Sequence, residues 1–211
     1  MRSTARFVAI ALTATLAPLA AATPAFAQAA SPASTDAASK FVDDLSDRVF
    51  AVMRDKSMSK PQVKAKFRVM LRQAFALDDI GNRLIRRYRS QITPAQFAAY
   101  QEALPEFAIN AYSDRLMNYT NADVTPVRTV PRGSRGDVDV YSRVTVPGRT
   151  PFDAIWTVRP KGSGFQVINL TISGINLSLT QEADFSAYIA KNGFDALVSF
   201  MKSANAKALA A

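Results

Sequence analysis

Between Asp137 and Leu170 the chain alternates apolar and polar residues with a period of two, interrupted by two turn sequences. Val138, Val140, Val144 and Val146 alternate with Asp139, Tyr141, Arg143 and Thr145, a spacing that sends successive side chains to opposite faces of an extended strand. Pro147-Gly148-Arg149 makes a turn, after which Phe152, Ala154, Trp156 and Val158 share one side of a second strand and Asp153, Ile155, Thr157 and Arg159 the other. Lys161-Gly162-Ser163-Gly164 turns the chain again into a third strand, Phe165 to Leu170. Val124 to Val130 reads as a strand ahead of these, giving four in all. An antiparallel meander with one apolar face must be covered, and the only sequence long enough to cover it is helical and lies on either side. The predicted fold is therefore α+β, with helices packed on a mainly antiparallel four-stranded sheet.

The flanking helices announce themselves by spacing and caps. Phe41, Leu45, Val49 and Val52 recur at helical intervals and predict a helix from Lys40 to about Arg54. Ser59-Lys60-Pro61-Gln62 has the form of a capping box and opens a second, whose stripe is Val63, Phe67, Met70, Leu71 and Ala74. A short helix follows, with Ile80, Leu84 and Tyr88 inward and Arg83, Arg86 and Arg87 outward. Thr93-Pro94-Ala95-Gln96 starts a long helix reaching about Asn118: threonine caps, proline sits where its missing N–H costs nothing, and glutamine returns the bond. Thr171 to Leu179 is predicted to stay extended. Ala183–Lys191 and Phe194–Ala208 are the last two helices, separated by Asn192-Gly193.

Residues 1–27 read as an export signal, with Arg2 and Arg6 before an apolar run and Ala25-Phe26-Ala27 as the cleavage site. An uncleaved anchor is the rival reading. Residues 28–39 read as a disordered leader, and residues 40–209 as a single domain. The chain has no cysteine and no histidine, which excludes Cys-His nucleophiles, Ser-His-Asp triads and histidine zinc sites. Asp43-Asp44 and Asp78-Asp79 are sequence neighbours, which do not face one another on a helix and so make no acid–base pair. The chain is not read as an enzyme. Its net charge of +9 would favour nucleic acid in a cytoplasmic protein, but an exported one meets anionic headgroups or acidic protein surfaces instead. The regular basic–aromatic interleaving of a nucleic-acid stacking platform is missing.

Three stretches carry a resemblance: LIRRYRSQITPAQFAAY at 84–100, GRTPFDAIWTVRPKGSGFQVINLTISGINLSLT at 148–180, and FSAYIAKNGFDALVSFMK at 185–202. They resemble the periplasmic phospholipid-binding component of the Mla pathway, also called the toluene-tolerance or ABC-transporter auxiliary family, over roughly Phe41 to Lys202. The family's Leu-Gly-Arg-x-Trp-Arg element appears with Leu84, Arg86 and Arg89 kept, Ile85 in place of glycine and Tyr88 in place of tryptophan. Trp156, Asn169, Gly174-Ile175-Asn176 and Gly193 match its later positions. The resemblance implies helices on a curved four-stranded sheet that encloses an apolar cavity for acyl chains. It implies a monomeric carrier in the periplasm, without a cofactor, whose cargo is a phospholipid or, as in a subgroup associated with hopanoid producers, a triterpenoid. Its implied partners are an inner-membrane ABC transporter complex and an outer-membrane lipoprotein complex.

Under that resemblance, the cavity wall falls to Phe152, Ala154, Trp156 and Val158 from the sheet and to Tyr100, Leu104, Phe107 and Leu116 from the long helix, with Leu84 and Tyr88 beside them. Tyr141 is a candidate to reach the headgroup through its hydroxyl. The bland alternative is that all of these are ordinary core. Arg83, Arg86, Arg87 and Arg89, joined by Arg143, are candidates for headgroup or membrane docking, because guanidinium binds phosphate through paired donors; the bland alternative is a solvated helix face. Arg149 and Arg159 near the meander turns are further candidates. The competing function is a periplasmic adaptor that binds an acidic protein partner or membrane surface through its arginines and carries no lipid.

Overall fold

The computed structural model describes residues 32–116 and 119–210, without the side chains of residues 32, 33, 112–116, 209 and 210. The export signal read at 1–27 lies outside the described residues. Helix α1 spans Pro32–Arg54, α2 Lys60–Ala74 and α3 Leu77–Leu84; a single 3-10 turn, Arg86–Tyr88, leads to α4, Pro94–Leu116. The strands are β1 Asp123–Arg132, β2 Asp137–Thr145, β3 Phe152–Lys161, β4 Gly164–Ile172 and β5 Ile175–Asn176, and the chain closes with α5 Leu177–Asn192 and α6 Phe194–Ala210. Helix α1 takes in residues 32–39, where composition had placed a disordered leader. Ala38 on those turns is fully buried, so packing rather than an apolar repeat sets the helix start.

The sheet corrects the expected architecture in two respects. It has five strands in the order β1-β2-β3-β4-β5, all pairings antiparallel, where four were expected. It is also open and uncurled, and it encloses no cavity among the described residues. The fifth strand arises at Ser173 and Gly174, whose φ angles of 50° and 80° form a two-residue hairpin turn. That turn folds Ile175 and Asn176 back onto Ile172 and Thr171. Asn176 then caps α5, its Oδ1 accepting from the N–H of Leu179 at 3.0 Å.

Two cores hold the molecule. In the first, Val42, Leu45, Val49 and Met53 of α1 and Phe67 and Leu71 of α2 cover Val138, Val140, Val144, Ala154, Val158 and Val167 of the sheet. In the second, Leu84, Ile85, Tyr100 and Leu104 pack on Phe185 and Ile189 of α5 and on Phe194, Leu197 and Met201 of α6. Helix α4 serves both, since Ile109 belongs to the first core and Tyr100 to the second. The space a cavity would have occupied is therefore filled by α1 and α2 side chains, each worth about 1.5–3 kcal/mol when fully buried.

Candidate functional site

The covered sheet face is set by register. Val138 pairs with Val158, Val140 with Trp156, Ser142 with Ala154 and Val144 with Phe152, so the predicted set Phe152, Ala154, Trp156 and Val158 lies on the face that α1 and α2 cover. Half-buried aromatic side chains rim this layer: Phe41, Phe75, Tyr119, Phe152, Trp156 and Phe165. Phe41 of α1 meets Phe165 of β4 at 5.9 Å between ring centroids, and Tyr119 meets Phe152 at 6.2 Å. A groove of about 110 Å³ runs between α1 and α2 over Phe41, Leu45, Met70 and Ala74. Within the layer stand three polar atoms, Ser46 Oγ, Ser142 Oγ and Trp156 Nε1, that have no hydrogen-bond partner among the described residues. Each such buried group costs about 1–3 kcal/mol if it stays unmet.

The long-helix half of the predicted wall is elsewhere. Leu84, Tyr88, Tyr100, Leu104 and Phe107 all belong to the second core, against α5 and α6. Tyr100 is fully buried, its hydroxyl donates to the Gly81 carbonyl at 3.0 Å, and burial pushes its pKa far up. A β-carbon on Gly81 would collide with the end of the Leu104 side chain, which would have to shift, so glycine suits the close approach of α3 to α4. The Tyr88 hydroxyl donates to the Ser186 carbonyl at 3.1 Å. The side chain of Leu116 lies outside the described residues. The structure thus does not bring the two halves of the predicted wall together. Tyr141 pairs with Ile155 on the opposite sheet face, and the Arg128 guanidinium lies 3.8 Å above its ring.

That opposite face is polar. Arg159 grips Asp137 through Nε at 2.8 Å and Nη2 at 2.9 Å, and reaches Asp79 of α3 through Nη1 at 2.9 Å. Asp137 holds the Arg159 pKa above its ordinary value. Asp139 accepts from Thr157 Oγ1 at 2.7 Å and from Arg132 Nη1 at 2.8 Å. Ala76, Asp78, Asp79, Arg159, Pro160, Lys161 and Gln166 line an open pocket of about 320 Å³ beside this network.

The arginines predicted to form one patch have divided roles. Arg83, expected outward, turns in: its guanidinium donates to the carbonyl of Ile168 and, at 3.2 Å, to Ser178 Oγ. The reason is a bulge in β4. Thr157 pairs with Asn169 and Val158 with Val167, which leaves Ile168 opposite nothing and its carbonyl in need of a donor. Burial, with a smaller push from the charge of Arg159, lowers the Arg83 pKa. Arg89 stacks 3.7 Å above the Phe97 ring, and Arg143 pairs across the strands with Asp153 at 3.2 Å. Arg86 and Arg87 stay exposed, the latter 3.6 Å from the buried Glu182. Among the described residues no group of three or more acidic, histidine or cysteine side chains could hold a metal ion, and no helix is long and apolar enough to cross a membrane.

Comparison with known proteins then decides the family, because the model of the MlaC protein matches residues 43–203, well over half of the chain. The chain belongs to the MlaC family. The MlaC match takes in the whole second core and all of the first except Ala38 and Val42. Among solved structures, the chain is similar to the phospholipid-binding protein from Ralstonia solanacearum, determined in complex with a phospholipid. Identity is 25%, the TM-score is 0.65, and the alignment covers 82% of this chain and 98% of that one. Within this MlaC-family chain, sequence reasoning missed Ser46 and Ser142. Ser142 falls in the apolar phase of β2, between Val140 and Val144, and that break in the alternation was the available signal.

Proposed function

We propose that this chain is a periplasmic lipid carrier, without catalytic activity, that holds the apolar tails of a phospholipid between the sheet and α1–α2. It passes that cargo between an inner-membrane ABC transporter complex and an outer-membrane lipoprotein complex. The observation that carries the reading is the MlaC match lying over an apolar layer whose rim is half-buried aromatic rather than polar. The phospholipid held by the Ralstonia solanacearum protein supports the same cargo class.

The physical task is to move acyl chains through water. Two chains with about 30 methylenes gain on the order of 24 kcal/mol on leaving water, and a bilayer offers nearly the same. The carrier needs a layer about as good as the bilayer and a way to open beside one. The groove over Phe41, Leu45 and Met70 lies between α1 and α2, where side chains rather than backbone ladders close the layer. In the closed form the α1 and α2 side chains fill the layer, so tails enter by replacing those contacts with their own. Arg86 and Arg87, exposed at the turn after α3, dock the carrier on anionic headgroups.

The test is lipid extraction and native mass spectrometry of the mature protein from its own host. Co-purifying phospholipid at near-stoichiometric level is expected. Repeated lipid-free preparations would favour the adaptor alternative instead. Reversing the charge of Arg86 and Arg87 together is expected to slow lipid exchange with anionic vesicles at low salt, where surface charge is least screened. An unchanged rate would remove the docking role and leave the cargo site untouched.

A further inference from the structure

Three buried polar atoms of the layer between α1 and the sheet share a chemical demand. Ser142 is 1% exposed and sits between Val140 and Val144 on the covered face of β2. Ser46 is 4% exposed and lies one turn beyond the core residue Val42 on the buried side of α1. Trp156 stands on the same sheet face, and its register partner Val140 is two residues from Ser142, so indole and hydroxyl are diagonal neighbours on adjacent strands. None of Ser46 Oγ, Ser142 Oγ or Trp156 Nε1 has a partner among the described residues.

An indole N–H only donates, so whatever meets it must accept. Serine hydroxyls can donate to the same kind of group. A ligand chemistry that brings strong acceptors and no donors into such a layer is the pair of carbonyls in a diacyl ester. A fused-ring triterpenoid hydrocarbon brings none, and an ether-linked lipid of the same length and headgroup lacks the carbonyls. We infer that Ser142 and Trp156, with Ser46 buried on α1, bind the ester carbonyls of the cargo, so that the carrier selects ester-linked acyl chains over equally apolar cargo without carbonyls. This inference rests on the lipid-carrier reading and names the substrate class of that same site. It also accounts for the presence of hydroxyls where valine or alanine would pack without an unmet group.

Trp156 is the only tryptophan in the chain, so its fluorescence reports on this layer alone. The delipidated mature protein is titrated with vesicles of a diester phosphatidylglycerol carrying brominated chains, then with the diether analogue of identical chains and headgroup. Retained lipid is counted by native mass spectrometry. Both lipids should quench Trp156, and in direct competition the diester should win by about tenfold. Ser142→Ala combined with Ser46→Ala should erase most of that preference, and Ser142→Thr, which keeps the hydroxyl, should retain it. Equal retention of diester and diether by the wild type would overturn the inference without any variant being needed. So would a preference that survives the double alanine change. Lipid retained without quenching of Trp156 would refute the placement while sparing the carrier reading. No retention of either lipid would bring down the carrier reading itself, and the inference with it.

Discussion

Replacing Ala154 by tryptophan separates a layer that yields to lipid from a core that never opens. Ala154 is buried on the covered sheet face, paired with Ser142 on one side and Ile172 on the other, and flanked along β3 by Phe152 and Trp156. In a core that never opens, an added indole strains its neighbours by about 1–3 kcal/mol, and lipid is irrelevant. In a layer that yields to acyl chains, the indole takes space the cargo uses, and its own burial offsets much of the strain. The wild type with lipid at a hundred times its dissociation constant gains about 2.7 kcal/mol, which for a domain of this size raises Tm by roughly 5–11 °C. Ala154→Trp should melt cooperatively and show none of that gain. Ala103→Leu supplies the contrast, because Ala103 is buried in the second core. It should lower both melts by the same amount and keep the full lipid shift. The assay is four pairs of thermal melts, with and without lipid, on the wild type, each single variant and the double variant, together with extracted lipid per mole of protein. A folded Ala154→Trp protein that keeps the wild-type shift, or an Ala103→Leu protein that loses it, would show that lipid does not enter under α1.

Three further outcomes follow from the geometry. Thr93→Ala should cost about 1 kcal/mol, seen as a lower denaturant midpoint at constant m-value. The change breaks a reciprocal cap in which Gln96 N–H donates to Thr93 Oγ1 at 3.2 Å and Thr93 N–H donates to Gln96 Oε1 at 2.9 Å. Arg159→Met strips Asp137 of its paired donors and should cost about 2–4 kcal/mol, discounted because the arginine side chain is partly solvated; adding Asp137→Asn should recover part of the loss in a double-mutant cycle. Stability should be flat from about pH 5.5 to 8, because the chain has no histidine. The bonds from Ser57 hold the Asp55 pKa down, so its contribution is present above the ordinary carboxylate range and fades as acid reaches its lowered value. The hydrogen bond to Asp44 raises the Lys40 pKa, so its contribution holds below the ordinary lysine range and fades in alkali. Thermal melts across the window check this, and a midpoint that drifts by several degrees inside it would contradict the assignment.

The period-two run at 137–170 was enough to place three strands and to put Ala154, Trp156 and Val158 on one face, because alternation is a property of each strand by itself. The partner of that face was not legible. Tyr100, Leu104 and Phe107 read as its cover, yet α1 covers it and α6 takes those residues. A helix with apolar side chains on more than one side does not state which neighbour each side will meet. Arg83 read as solvent-facing by helical spacing. Its inward turn depends on the β4 bulge at Ile168, and a bulge is a feature of pairing between two strands that neither strand shows alone. The fifth strand was missed because Ser173 is not a residue that advertises a positive φ. The division of the arginines among a bulge, an aromatic face and a cross-strand carboxylate was equally beyond a charge count.

The separation of the two cores bears on how such a chain survives between deliveries. On the proposed placement, loading lipid under α1 alters contacts made by α1, α2 and the sheet, while Tyr100, Phe185, Phe194 and Met201 belong to the other core. Helix α4 is shared, so the second core acts as a keel that holds α4, α5 and α6 together as the first is loaded. In the language of proteostasis, the state to be guarded on that placement is a carrier with α1 and α2 parted rather than an unfolded protein. On the proposed placement, cargo stands in for the α1–α2 contacts it displaces, so a loaded carrier keeps its apolar layer out of water.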